Sequence, residues 1–304
     1  LSGEHISEVL KVTRAAVWKH MEKFRAVGYD IEAVPHLGYR LKSIPDKLLP
    51  DEITAGLKAG VFGREIYAYE STKSTNDIAY GLAEKGAAEG AVVIAEKQER
   101  GRGRLGRKWI SPSGGVYMSC VIKPDILPRE IQEFTLVTAL ALCDAIRIVT
   151  GLKPGVKWPN DVYINGKKVC GILTEMKAET DRIDFVIVGI GVNVNTGQGM
   201  LPDTATSLKK EKGCHVSRID IARQILMELE SKYFLFRRDG FQGMRKAIKA
   251  LSCTIGNRVE VATHNSRYAG LAEDIDNEGA LIVKMPGGEC RRVLSGDVTL
   301  KGGV

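Results

Sequence analysis

Near the middle of the chain, Asn165-Gly166 sits between two runs in which apolar and polar residues alternate, VKWPNDVYI (156–164) and KKVCGILTEMKAE (167–179). Asn-Gly readily takes positive φ at both central positions of a two-residue turn, so the stretch folds back as a hairpin with a type I′ turn. A third run, IDFVIVGIGVNVN (183–195), returns as a strand after the turn ETDR. The centre of the chain is thereby committed to a hairpin-rich sheet. Helices flank it: STNDIAYGLAEKG (74–86), with Ser74 and Asp77 in capping-box spacing, PREIQEFTLVTALALCDAIRIVTG (128–151), and SRIDIARQILMELESKYFLFRR (217–238). Helices beside such a sheet argue for α+β rather than a doubly wound α/β fold.

The two ends read differently. From Leu1 to about Ile44, HISEVL reads as a short helix, KVT as a tight turn, and RAAVWKHMEKFRAVG as a longer helix with Thr13 as N-cap and Gly28 at its end. Val17, Met21 and Phe24 fall at i, i+4, i+7, one apolar stripe. A hairpin around PHLG follows, and the order is that of a winged helix-turn-helix with its first helix missing. Arg14, Trp18 and Lys19 lie off the stripe, where a recognition helix meets DNA. From about Leu251, short β-like runs separated by turn residues suit a small SH3-like barrel. The expected domains are 1–45, 46–250, into which the linker PDKLLPD leads, and 251–304.

Six cysteines are scattered without a CxxC pair, and no signal peptide precedes them, which points to reduced thiols in the cytoplasm. Five histidines without metal-ligand spacing give no metal site, and no apolar run is long enough for a membrane helix. A net charge of +7 is compatible with an anionic partner.

ERGRGRLGRKW (99–109) packs five cations and three glycines into eleven residues. GRGRLG matches GxGxxG, but KWISPSGG follows it, and a proline and paired glycines forbid the helix that a dinucleotide fingerprint requires. Gly106 is followed by Arg-Lys, not Lys-Ser/Thr, so it is no Walker A loop, and no HRD or DFG triplet accompanies it. What remains is a cationic flap between two strands, in which Arg102, Arg104, Arg107 and Lys108 can neutralise a triphosphate or an acyl-adenylate while the glycines let backbone N–H groups approach. A merely solvated loop is the alternative. Gly171, Gly189 and Gly191 interrupt β-branched strands, as they do where a ligand lies against a sheet, and Asn193 follows on the same alternating side.

KWPND (157–161), NGKKVCGILTE (165–175), GRGRLGRKW and STN (74–76) together resemble the biotin protein ligases, and the preceding helix-turn-helix resembles the bifunctional group that is also the biotin operon repressor. The resemblance covers nearly the whole chain. It implies an α+β ligase domain with a mixed or antiparallel sheet, and a two-step reaction with biotin, ATP and Mg²⁺ through biotinyl-5′-AMP. The biotinyl group passes to a lysine of the biotin carboxyl carrier protein of acetyl-CoA carboxylase. It further implies a homodimer when the adenylate is bound, acting as corepressor on operator DNA. Ser74, Thr75, Asn76 and Gln98 would bind the ureido head of biotin; Arg102, Gly103 and Arg104 would contact biotin and adenylate; Trp109 would pack over biotin. Lys168 would hold the carboxylate and α-phosphate, Asp161 would steer Mg²⁺ or accept the acceptor lysine's proton, and Lys157 flanks the same motif. LPDTATSLKKEKG (201–213) resembles the adenosine-side loop. A ligase without DNA binding, and a transcription factor without catalysis, are the rival readings.

Overall fold

The computed structural model describes residues 1–34, 37–179, 182–263 and 266–301. The chain divides into two compact units, Leu1–Lys47 and Leu48–Val304.

In the first unit, α1 (Gly3–Leu10) is capped by Ser2, whose Oγ accepts the His5 N–H, and ends on Lys11 in the left-handed region (φ 52°). Thr13 caps α2 (Arg14–Val27) by accepting the Ala16 N–H at 3.2 Å, and Gly28 (φ 114°) terminates it. β1 (Asp30–Val34) and β2 (Gly38–Ser43) form the expected antiparallel hairpin; Pro35 and His36 of its connection lie outside the described residues. The apolar stripe is only partly covered. Val17 is buried, Met21 half-buried, and Phe24 stays 44% exposed, its ring edge-on to Tyr29.

The second unit is built on a seven-stranded sheet. Its elements in chain order are α3 (Pro50–Thr54), β3 (Ile66–Tyr69), α4 (Thr75–Glu84), β4 (Val92–Ala95), β5 (Val116–Ile122), α5 (Ile131–Thr150), β6 (Gly155–Lys157), β7 (Asp161–Ile164), β8 (Lys167–Ala178), β9 (Ile183–Val192), α6 (Leu208–Lys212), α7 (Arg218–Asp239) and α8 (Gln242–Ala250). The strand order is β3-β4-β5-β9-β8-β7-β6. Only β3 and β4, joined through α4, are parallel; the other pairs are antiparallel. At the turn before β8, Asn165 (φ 48°) and Gly166 (φ 75°) both take the positive φ that type I′ demands. Thr180 and Asp181 of the next turn lie outside the described residues.

One expectation fails. VKWPNDVYI is not a single hairpin arm: it breaks into β6 and β7, which pair with each other so that Lys157 stands opposite Asp161. Pro159 has no N–H to give to a ladder, and the chain reverses across Trp158, Pro159 and Asn160. Trp158, fully buried, donates its backbone N–H to Thr254 Oγ1 and its indole N–H to Gly279 O, both at 2.9 Å.

Period-two alternation assigns the two faces of the sheet. Val186, Val188, Ile190 and Val192 of β9 join the large core beneath α5, α7 and α8, while Phe185 and Ile187 face α4 with Ala79 and Ala83. Further along that second face the β9 side chains vanish, at Gly189 and Gly191. The sheet surface there lies past the N-terminal end of α4.

After α8 come β10 (Arg258–Ala262), β11 (Arg267–Ile275), β12 (Leu281–Lys284), β13 (Cys290–Val293) and β14 (Asp297–Leu300), an antiparallel sheet in the order β13-β12-β11-β10-β14. Five short antiparallel strands give the SH3-like pattern, although β13 and β14 do not close it by hydrogen bonds. All six cysteines are free thiols, and among the described residues no helix is long and apolar enough to cross a membrane.

The first turn of α5 meets the β11–β12 turn. Burial, and then the neighbouring carboxylates Glu130, Glu278 and Asp276, push Glu133 up to about 7 from its ordinary 4.5, against the weaker pull of Arg129. A carboxyl raised in the folded state takes up a proton on folding, so its contribution is complete below about 4.5 and is lost as pH rises through 7. Glu133→Gln should therefore raise the melting temperature at pH 8 and flatten its decline between pH 5 and 7, as read by thermal unfolding across that range. An unchanged pH profile would show that Glu133 titrates normally.

Candidate active site

Two rows of residues cross the open end of the sheet. Register places Asp161, Gly171, Gly191 and Tyr117 side by side on β7, β8, β9 and β5, and Leu173, Gly189, Ser119 and Val93 in the next row. The missing side chains make room for residues arriving from elsewhere. A Cβ on Gly189 would lie 2.1 Å from Asn76 Oδ1, and one on Gly191 would lie 2.4 Å from Trp109 Nε1. The glycines thus admit side chains of the chain itself, Asn76 and Trp109, against the sheet. Trp109 packs on the sheet with its indole N–H buried and, among the described residues, without an acceptor.

Asn76 enters from the first turn of α4. Its Nδ2 donates to Glu175 Oε2 (2.6 Å) and Leu173 O (3.3 Å), and its Oδ1 faces Ser119 Oγ at 2.6 Å. The capping box expected at this helix does not form. Ser74 holds the N-cap position but its hydroxyl caps nothing, and Asp77 pairs with Arg102 instead. Gln98 supplies the cap from another strand end: its Oε1 accepts the Thr75 N–H (2.8 Å) and hydroxyl (3.1 Å) while its Nε2 donates to Ser111 Oγ. Ser74, only 3% exposed, is left facing the cleft with a hydroxyl to offer.

The glycine–arginine flap closes one side. Arg102 donates to Asp77 and Glu175, Arg104 reaches Asn160 Oδ1 at 3.3 Å, and Arg107 makes a two-pronged bridge to Asp297 of β14. Burial lowers the pKa of Arg104, against the opposing pull of Asp161 and Asp297. Opposite stand Lys168, whose Nζ lies 2.7 Å from Asp161 and 5.1 Å from the centre of the Trp109 ring, and Lys157, 5.4 Å over Tyr163. Burial lowers the Lys157 pKa as well. Together these groups line a cleft of about 870 Å³, counting its open mouth. Six cations against two carboxylates face into it, so it selects for an anion.

Of the site residues expected from sequence, Ser74, Thr75, Asn76, Gln98, Arg102, Gly103, Arg104, Trp109, Lys157, Asp161, Lys168, Gly171, Gly189 and Gly191 all line this cleft. Asn193 does not. β9 ends at Val192, so the alternation that placed Asn193 beside Gly191 no longer applies; its Nδ2 holds Thr206 O and its backbone holds Val169 and Leu208. The segment 201–213 also lies off the cleft and is pinned to the backbone of Lys168 through Thr204 and Thr206. Arg14, Trp18 and Lys19 are exposed on α2 of the first unit, Arg14 paired with Glu4. Sequence reasoning missed Asn160, Ser119, Glu175 and Asp297. A serine inside the apolar run VYMSCVI was a visible signal for Ser119; Asp297, arriving from the last strand, left none.

A model of the biotin/lipoate A/B protein ligase family matches residues 68–193, an HTH domain residues 1–40, and the biotin protein ligase C terminal domain residues 254–301. The chain is 40% identical over 305 residues to the bifunctional ligase/repressor BirA of Bacillus subtilis, spanning 99% of this chain and 94% of that protein. It is 30% identical to the Escherichia coli protein of the same name, over 94% and 88% of the two chains. The solved biotin protein ligase of Aquifex aeolicus in complex with biotin and ATP superposes with a TM-score of 0.68 at 28% identity, covering 78% of this chain and 99% of that one. With its HTH, ligase and C-terminal models matched in that order and 40% identity across nearly all of both chains, the chain belongs to the biotin protein ligase family, in its bifunctional ligase/repressor group.

Proposed function

We propose that the chain joins biotin to ATP as biotinyl-5′-AMP and passes the biotinyl group to a lysine of the biotin carboxyl carrier protein of acetyl-CoA carboxylase. Loaded with the adenylate, it dimerises and binds operator DNA through α2 to repress the biotin operon. Residues 1–45 carry the DNA-binding role, 46–250 the ligase and 251–304 the small β-domain that supplies Asp297.

In the first step a biotin carboxylate oxygen attacks the α-phosphorus and pyrophosphate leaves. In the second, an amine attacks the acyl carbon and AMP leaves. Neither step requires a protein nucleophile. What both require is positive charge where phosphoryl oxygens gather electrons, and a dry pocket around the anhydride. The observation that carries the reading is the convergence of Arg104, Lys157 and Lys168, from three separate segments, on one cleft beside an indole N–H with no acceptor. Ser74, Thr75 and Asn76, at the positive end of α4, suit the polar head of the vitamin. Arg102 is held by Asp77 and Glu175 through its Nη2 alone, which leaves its other guanidinium N–H groups for an incoming anion. Mg²⁺ fits as a companion of the triphosphate: Asp161 and Asp297 are each paired with a cation, and among the described residues no three His, Cys, Asp or Glu side chains gather to hold an ion alone.

The test is incubation with ATP, Mg²⁺ and labelled biotin, with and without a biotin acceptor domain. Acid-labile adenylate alone and stable amide on the acceptor are expected; absence of adenylate overturns the reading. Arg104→Gly removes the flap residue that docks on Asn160. Losing a hydrogen bond of a charged group should speed adenylate release about ten- to a hundredfold, seen as biotin labelling of bystander proteins. No rise in that labelling would remove the retention role from Arg104.

A further inference from the structure

On α2 only Val17 is fully buried, whereas Trp18 leaves 57% of its surface in water. Among the described residues no aromatic ring, cation or hydrogen-bond acceptor partners it. Helical spacing puts Arg14 and Glu22 one turn to either side of it and Lys19 next to it, all exposed. Tryptophan is on average well buried in folded proteins and is a poorer helix former than alanine, so helix stability alone gives no reason for it at an exposed position. A helix-turn-helix lays its second helix in the major groove with the N-terminal residues on base edges, and Trp18 is the fifth residue of α2. The cations around it suit phosphate. The exposed Arg14–Glu4 pair is of the surface kind that a phosphate replaces at little cost. An indole face asks for something apolar, and the apolar group on the major-groove edge is the thymine C5 methyl.

We propose that Trp18 reads a thymine in each operator half-site by packing its indole on the C5 methyl. This rests on the reading of α2 as the operator-binding helix.

Full-length protein with biotin and ATP is used to select duplexes from a randomised library. The selected duplex is remade with uracil for thymine, one position at a time, which deletes the methyl and leaves every hydrogen-bonding group in place. At one thymine per half-site, uracil should weaken binding about fourfold, the worth of one buried methyl. Trp18→Ala, in a helix where the side chain is more than half exposed, should fold normally, bind the thymine duplex more weakly, and lose discrimination at that position while keeping the salt dependence set by phosphate contacts. If Trp18→Ala discriminates thymine from uracil as the native protein does at every position, the proposal is overturned. It is equally overturned if the substitution alters only self-association of the free protein, which would make Trp18 a protein contact. If the library yields no bound duplex, the operator-binding reading of α2 fails first, and the thymine contact with it.

Discussion

Gly189→Ala should raise the Kd for biotin by about a hundredfold or more and lower the melting temperature, whereas Gly171→Ala should do neither to that extent. The reason lies in what each new methyl would strike. At Gly189 it would stand 2.1 Å from Asn76 Oδ1 and 2.8 Å from Asn76 Cγ. Asn76 is 4% exposed and held at both ends of its amide, by Ser119 on one side and Glu175 and Leu173 on the other. It has no second place to go. Moving it breaks a set of buried hydrogen bonds, one of them to a carboxylate, at a cost of about 2–4 kcal/mol. It also unseats the residue proposed to meet the head of the vitamin. At Gly171 the methyl would approach the Lys168 stem and the Trp109 ring edge at 3.2 Å, and the lysine stem can yield by a few tenths of an ångström. Calorimetric titration with biotin, with thermal unfolding as the companion measurement, separates the two variants. A Gly189→Ala protein that binds biotin within about threefold of the native chain would mean that Asn76 has no part in that subsite, since a lost contact of this kind is worth more.

These glycines also show how far a sequence can be read. Their position in β-branched strands signals that something lies against the sheet, and that much follows from strand chemistry alone. Which group lies there depends on Trp109 and Asn76, residues 82 and 113 positions away from Gly191 and Gly189 along the chain, and no local pattern encodes that approach. The Asn165-Gly166 turn and the Thr13 and Gly28 caps are legible because their determinants are adjacent in the chain. The failed capping box has the opposite cause. Spacing puts Asp77 within reach of the Ser74 backbone N–H, but Arg102 offers the carboxylate a charged partner, and Gln98 caps the neighbouring Thr75 N–H from outside the helix. A guanidinium brings a full opposite charge to the carboxylate, where the backbone N–H of a capping box brings only a dipole. Asn193 fails for a third reason: period-two reasoning holds only while the strand lasts, and β9 stops one residue short of it.

Lys168→Ala should cut the rate of adenylate formation by about 10²–10³, the usual cost of removing one preorganised group from developing negative charge. Two explanations of such a loss must be kept apart. Lys168 Nζ lies 2.7 Å from Asp161, whose side chain is 12% exposed, so its removal also strands a carboxylate in a cleft meant for anions. A stranded Asp161 would repel ATP, raising its KM, and Asp161→Asn in the same chain would then restore much of the activity. If Lys168 instead acts on the carboxylate and α-phosphate as they join, the loss falls on kcat and the double variant stays as slow as the single one. The geometry favours the second outcome. Lys157 stands opposite Asp161 across the β6–β7 turn, and both Lys157 and Arg104 feel its charge, so Asp161 keeps cationic neighbours when Lys168 is gone. Lys168, by contrast, is held over the Trp109 ring, and of the lysines lining the cleft Lys157 lies instead over Tyr163. Pyrophosphate release measured against ATP concentration for the single and double variants decides between them. A single variant whose loss lies in KM for ATP, with KM restored in Lys168→Ala/Asp161→Asn, would reduce Lys168 to a counter-ion.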